Sequence, residues 1–349
     1  GQSRPFAGRL QIRAWRAYRR RVPGGPDGGL MEDRLRGLEG RFQPRRAVLE
    51  AVRAVQPDLL LWATLNHQDN QELEVVKACR AQGIPIVAAP ASWDTLSSKG
   101  GSLVHPDHMF VWGEESAGHA TKWHNCPPGQ MTVTGPVHWD GYASVQELVH
   151  TPTILVAGTS VNYWEDEHAC LTLLGQDGQR VGYRVLYRPH PRGRWGWHPK
   201  DIMLPGVARD PITDRQVACG RQGWSLDPDD LREYPALMGS VQAVVAAFST
   251  LTIEAALLGK TPIMVGYGRT RHGPGMASVH RAYEHMAHVV NWPGVKTAYD
   301  VDDLRRFVRN ALKGYYAVYA EGLHQMALRV ARVDGHAQER VAEALACLV

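Results

Sequence analysis

Apolar positions along this chain change their period again and again. "PRRAVLEAVRAVQP" (44–57) spaces its apolar residues by three and four, as one face of a helix does, and "DLLLWAT" (58–64) is a short apolar run bounded by Pro57. "NQELEVVKACRAQG" (70–83) returns to helical spacing and stops at a glycine; "IPIVAAP" (84–90) is strand-like again. "HMFVWG" (108–113) and "MTVTGP" (131–136) predict two further strands with a helix between them.

A second series follows "HWDGYASVQELVHTP" (138–152). "TILVAGT" (153–159), "YRVLYRP" (183–189), "VQAVVAAFST" (241–250) and "TPIMVGY" (261–267) predict strands. "EDEHACLTLLGQ" (165–176) and "LTIEAALLG" (251–259) predict helices, and a helical tail starts at "DVDDLRRFVRNAL" (300–312). Helix and strand alternating at this rhythm mean βαβ units and parallel sheets. The fold class expected is α/β, with two Rossmann-like domains whose parallel sheets face a central cleft. The expected divisions are an N-terminal domain over 1–145, a second over 146–325, and a C-terminal helix over 326–349 that crosses back to the first domain. Ligands of open parallel sheets bind beyond the strand C-termini, so the cleft is the expected ligand site.

The 349 residues suit two domains, and 44% apolar residues suffice for two cores. A net charge of +4 is too mild for a nucleic-acid binder, and no run approaches the ~18 apolar residues of a membrane span. Five scattered cysteines without a C-x-x-C predict a reducing, cytoplasmic setting. "RLQIRAWRAYRRR" (9–21) predicts an amphipathic helix with a basic face, either solvated or touching an anionic membrane at the inner face.

Chemistry concentrates at strand ends. In "YRPHPRG" (187–193) two prolines stiffen the backbone around His190, which suits a group that must meet a ligand and equally suits a plain strand exit. Arg188 and Arg192 flank it, and the strand's alternation leaves the facing of Arg188 open between ligand and surface. Ser249 and Thr250 open a helix whose free N–H groups can take an anion, with Glu254 one turn on, placed for ribose hydroxyls or for a solvated face. Thr159 and Ser160 close the strand of the first βα unit in the same manner.

"FSTLTIEAALLGKTPI" (248–263) resembles the C-terminal-domain signature of GT-B glycosyltransferases that build bacterial surface polysaccharides. It is also similar to the matching segment of CDP-glycerol glycerophosphotransferases and, more loosely, of UDP-N-acetylglucosamine 2-epimerases. "RPHP" resembles the His-Pro motif of bacterial sialyl- and Kdo-transferases, which pairs with a downstream Ser/Thr motif; here these are His190-Pro191 and Ser249-Thr250. "PASWDTLSSKG" (90–100) and "DGHAQERVAEAL" (334–345) look like segments of related surface-carbohydrate enzymes, with Thr95 where Asn is common.

The resemblance implies a glycosyltransferase that moves a sugar from a nucleotide-sugar, with CMP-linked acid sugars such as Kdo favoured, onto a capsule or lipopolysaccharide glycan. It implies an inverting reaction with no metal and no cofactor. His190, Arg188, Ser249, Thr250, Glu254, Thr159 and Ser160 would hold the donor. Ser92, Trp93 and Lys99 would hold the acceptor, with Asp94 as general base and His67, beside Asp69, as the alternative base. Asp94 equally reads as a structural cap of its turn. The implied partners are the donor and a glycan or lipid-linked acceptor, without nucleic acid. The alternatives are glycerophosphate transfer and 2-epimerisation.

Two signals are set aside. Asp227 in "LDPDDLREY" reads as a helix N-cap with Pro228 behind it rather than a metal site, and Asp300 in "YDVDDL" reads the same way. "GYGRTRHGPG" (266–275) is a loop that either covers the donor or is plain surface. Residues 1–45 show no convincing strand, so the expected first domain is truncated or reduced.

Overall fold

The computed structural model describes residues 34, 37–63, 65, 70–99, 103–145, 151–160, 164–191, 193, 195–220, 227–270 and 275–349. The basic helix expected near residues 9–22, His67, Asp69 and Arg192 lie outside the described residues. The chain forms two compact units, one of residues 1–137, 330–332 and 336–349, the other of residues 138–329 and 333–335.

In the first unit the order is α1 (Arg46–Val55), β1 (Leu60–Trp62), α2 (Asn70–Ala81), β2 (Ile86–Ala88), α3 (Thr95–Ser98), β3 (His108–Val111), α4 (Glu114–His124) and β4 (Met131–Val133). The strands form one parallel sheet in chain order. Its core gathers Val52 of α1, Val76 of α2, Ile86 and Ala88 of β2, Met109 and Val111 of β3, and Ala120 of α4. These are the apolar positions whose spacing predicted the elements. The last helix, Ala337–Ala346, belongs to this unit too. Its Arg340 donates to the Thr134 carbonyl at 2.9 Å just past β4. Arg332 N–H bonds the Trp112 carbonyl at 2.7 Å just past β3.

In the second unit the order is β5 (Thr153–Ala157), α5 (Glu167–Val181), β6 (Arg184–Arg188), β7 (Val207–Arg209), α6 (Pro211–Ala218), α7 (Pro228–Gly239), β8 (Ala243–Ala246), α8 (Leu251–Leu257), β9 (Thr261–Val265), α9 (Met276–Ala282), α10 (Glu284–Val289), β10 (Lys296–Ala298), α11 (Val301–Leu312) and α12 (Ala320–Val330). Six parallel strands run β10-β9-β8-β5-β6-β7. Every residue of β5, β8 and β9 is buried, as a strand covered by helices on both faces must be.

Edge strands β7 and β10 and helices α6, α9 and α10 are additions to the expected elements. Each of these strands has three residues and a single buried one, Val207 and Ala298, too little apolar signal to read locally. The strand expected over 241–250 ends at Ala246. None of the helices in the described residues is long and apolar enough to cross a membrane.

Candidate functional site

The strand order of the second unit reverses direction between β5 and β8, and open parallel sheets bind ligands beyond the strand C-termini at such a switch point. The last residues of three neighbouring strands are in register there: Arg188 beside Ala157, and Ala157 beside Ala246. Adjacent strands lie about 4.8 Å apart, so the three exits leave the sheet side by side. His190 follows β6, Thr159 and Ser160 follow β5, and Ser249 and Thr250 follow β8. The exits of β5 and β6 touch: the Gly158 N–H donates to the Arg188 carbonyl at 2.7 Å.

His190 is half-buried. Its carbonyl accepts from the Gly193 N–H at 2.7 Å and the Trp197 indole at 3.0 Å, which curls the following loop back on it. Ser249 caps the first turn of α8, its hydroxyl accepting from the Leu251 N–H at 3.2 Å. Thr250 occupies the N-cap position without a side-chain cap bond.

Arg188 is neither a surface group nor an open cation. Its guanidinium pairs at 2.9 Å with Asp210, which is fully buried, and lies 3.8 Å from the centre of the Tyr234 ring. Burial presses its pKa down, while Asp210 and then Glu254 oppose that. Asp210 also caps α6, accepting from the N–H groups of Ile212 and Thr213 at 3.1 Å. The charge of Arg188 is therefore largely answered inside the fold.

Glu254 is buried rather than solvated, and the Tyr142 hydroxyl donates to its carboxylate. Burial raises the Glu254 carboxyl above its ordinary value, with the Tyr142 bond and the nearby Arg188 opposing. Tyr142 sits in the turn Val137–Ser144, and nothing in its own sequence marked it. The local sequence marks neither Glu167 nor Tyr187. Glu167 reads locally as an acidic first-turn residue of α5, yet it is buried against the β5 exit, with Thr159 N–H at 2.6 Å and the Tyr187 hydroxyl at 2.5 Å.

In the first unit, the exit of β2 carries Ser92, Trp93, Asp94 and Lys99. The Trp112 indole holds the Pro90 carbonyl and His124 holds that of Leu96, both at 2.8 Å, so this loop is pinned at two points. The Asp94 carboxylate accepts from the Ser98 hydroxyl at 2.8 Å and from Lys99 at 3.0 Å. Its side chain caps no backbone N–H of α3. Ser92 is half-buried, whereas Trp93 is buried.

The Asp-x-Asp segment is a cap. Asp227 accepts from the Asp229 N–H at 3.0 Å with Pro228 at the first helical position. Asp230 is buried and held by Arg215 at 2.5 Å and Gln216 at 2.8 Å. Asp300 likewise accepts from the Asp303 N–H at 2.7 Å.

Among solved structures the chain is similar to a Listeria monocytogenes protein assigned as a UDP-N-acetylglucosamine 2-epimerase, at 14% identity and TM-score 0.50, over 90% of this chain and 78% of that one. It is similar to MnaA of S. aureus, solved with UDP, at 13% identity and TM-score 0.50, over 87% of this chain and 80% of that one. The wall teichoic acid polymerase TagF aligns at 13% identity and TM-score 0.42, over 73% of this chain and 58% of that one. A scan against protein-family models finds no match, and neither does a search of curated proteins. The shared feature is the fold, an α/β chain with parallel sheets of four and six strands that is GT-B-like.

Proposed function

We propose that the chain is a GT-B enzyme that uses a nucleotide-sugar and transfers the sugar to a surface glycan. One observation carries this reading: Arg188, Ala157 and Ala246 end three adjacent strands in register, and His190, Thr159–Ser160 and Ser249–Thr250 follow at once. Hydroxyls, backbone N–H groups and an imidazole gathered at a switch point suit a donor's phosphates. His190 would donate to a phosphate oxygen and offset the negative charge that builds on the departing nucleotide. In the first unit Asp94 would take the proton of the acceptor hydroxyl, and Lys99 would steer an anionic acceptor.

The His-Pro and Ser/Thr motifs favour a CMP-linked acid sugar such as Kdo, and the UDP seen with MnaA keeps UDP-sugars in the reading. The proposed reaction is inverting and independent of metal, so turnover should persist in excess EDTA. Epimerisation is the second reading, favoured by the fold shared with the Listeria protein. It needs no acceptor, so a free sugar nucleotide converted without one would select it. Glycerophosphate transfer would instead leave CMP and a phosphodiester product.

A thermal-shift screen with CMP, CDP, UDP, GDP and dTDP tests the core of the proposal, since a ligand at 100 times its Kd stabilises by about 2.7 kcal/mol. His190→Ala should weaken binding of the best nucleotide at least tenfold, about 1.4 kcal/mol. If no nucleotide shifts the melting temperature, or His190→Ala binds like wild type, the reading fails.

A further inference from the structure

An acidic residue in the first turn of a helix is ordinarily solvated, where it favours the helix dipole. Glu167 in α5 is 4% exposed instead. One of its oxygens accepts from the Thr159 N–H on the β5 exit, and the other from the hydroxyl of Tyr187 on β6. That same hydroxyl lies 3.4 Å from the Trp195 carbonyl, in the loop that the Trp197 indole ties back to His190. One carboxylate thus reaches both loops of the phosphate site, directly at Thr159 and through Tyr187 at Trp195.

Packing alone does not call for an ionisable group here. Burial pushes the Glu167 carboxyl up to about 7, against the opposing bonds from Tyr187 and Thr159. A neutral side chain of the same shape would fill the space without that cost. Perturbed carboxylates of this kind cluster at functional sites.

We propose that Glu167 is a positioning residue that ties the β5 exit to the His190 loop through Thr159 and Tyr187, holding both loops ready for phosphate. This rests on the phosphate reading of the site. As a carboxylate, Glu167 accepts both bonds. Once protonated it carries a proton to donate and loses acceptor capacity, so the Tyr187 hydroxyl turns to Trp195 and the loops are held differently. The titratable groups around it are Tyr187 from β6 with Asp201 beyond, Cys170 of α5 with Tyr267 beyond, and His168 of α5, whose ring lies 4.7 Å from that of Trp195. The site is therefore sensitive to pH close to neutrality, with the ligand-ready form on the alkaline side.

Amide hydrogen exchange on the ligand-free protein tests this directly. Peptides covering 153–160 and 189–198 are followed at pH 6 and pH 8, corrected for intrinsic rates, in wild type, Glu167→Gln and Tyr187→Phe. Wild-type protection should differ between the two pH values by about three- to tenfold, the scale of one hydrogen bond, and Glu167→Gln should show no such step. Tyr187→Phe should lose the step only over 189–198, which keeps the test decisive if Glu167→Gln folds poorly. A wild type without a step, or a Glu167→Gln protein with the full one, overturns the proposal. Calorimetry with CMP, CDP, UDP, GDP and dTDP at pH 8 adds the ligand arm, in which both variants should bind the best of them about three- to tenfold more weakly than wild type. Unchanged affinity in both variants also overturns it. If wild type binds none of the five, the phosphate reading falls, while the exchange arm still judges the role of Glu167 in the two loops.

Discussion

Gly158 lies so close to His190 that a β-carbon on it would stand 2.7 Å from the His190 amide nitrogen, and 3.0 Å from both the Arg188 carbonyl oxygen and the Pro189 α-carbon. All three are backbone atoms, which cannot swing away as a side-chain tip can. Gly158→Ala should push the β5 and β6 exits apart and cost about 1–3 kcal/mol of stability, the usual scale of overpacking. Nucleotide affinity should fall with it, and calorimetry beside urea denaturation checks both. A destabilised variant that keeps full affinity would separate this packing from ligand binding.

Tyr142 and Glu254 give a second test. Tyr142→Phe removes the hydroxyl that donates to a buried carboxylate, leaving an unmet acceptor worth about 1–3 kcal/mol. The Tyr142 bond opposes the burial that raises the Glu254 carboxyl, so it favours the ionised form. Across a pH series in urea denaturation the loss should therefore be larger at the alkaline end than at the acid end. An equal loss across the series would mean the bond does little for the charge.

Glu167 itself sets a stability slope. Its carboxyl keeps the proton up to about pH 7 when folded, but releases it near the ordinary 4.5 when unfolded. Between those values the folded state binds more protons, so stability falls as pH rises, by about 1.4 kcal/mol per unit and about 3 kcal/mol in all. Glu167→Gln, which cannot ionise, removes this slope. The variant should match wild type near pH 4.5 and exceed it by about 3 kcal/mol at pH 8. Denaturation curves that keep the same offset throughout would contradict the assignment.

Asp94 separates chemistry from architecture. If it is the general base, Asp94→Asn should cut turnover by about 10²–10⁴-fold while nucleotide affinity stays within a few-fold. Its bonds to Ser98 and Lys99 also brace α3, and a purely structural role would instead lower the melting temperature, with activity tracking folded protein. Turnover near wild type in a well-folded variant would remove Asp94 from the reaction.

Much of this was determined by the sequence alone. The switching apolar period specifies alternating helices and buried strands, because each element must turn its own apolar residues inward. The caps at Asp227 and Asp300 are legible because their partners lie two or three residues away. His190, Ser249 and Thr250 are legible as strand exits, since prolines and hydroxyls act on the backbone next to them. Tertiary structure alone decided the rest. The edge strands β7 and β10 pair through backbone bonds to β6 and β9, which side-chain pattern does not encode. Arg188, whose facing the strand's alternation leaves open between ligand and surface, is turned inward onto Asp210, 22 residues on. Glu254 meets Tyr142 across 112 residues, and Glu167 meets Tyr187 across 20. Such pairs arise only once the chain has folded and the elements that carry them have been brought together. A buried carboxylate then takes whichever donor the fold delivers, because leaving it unmet away from water costs more than any local preference.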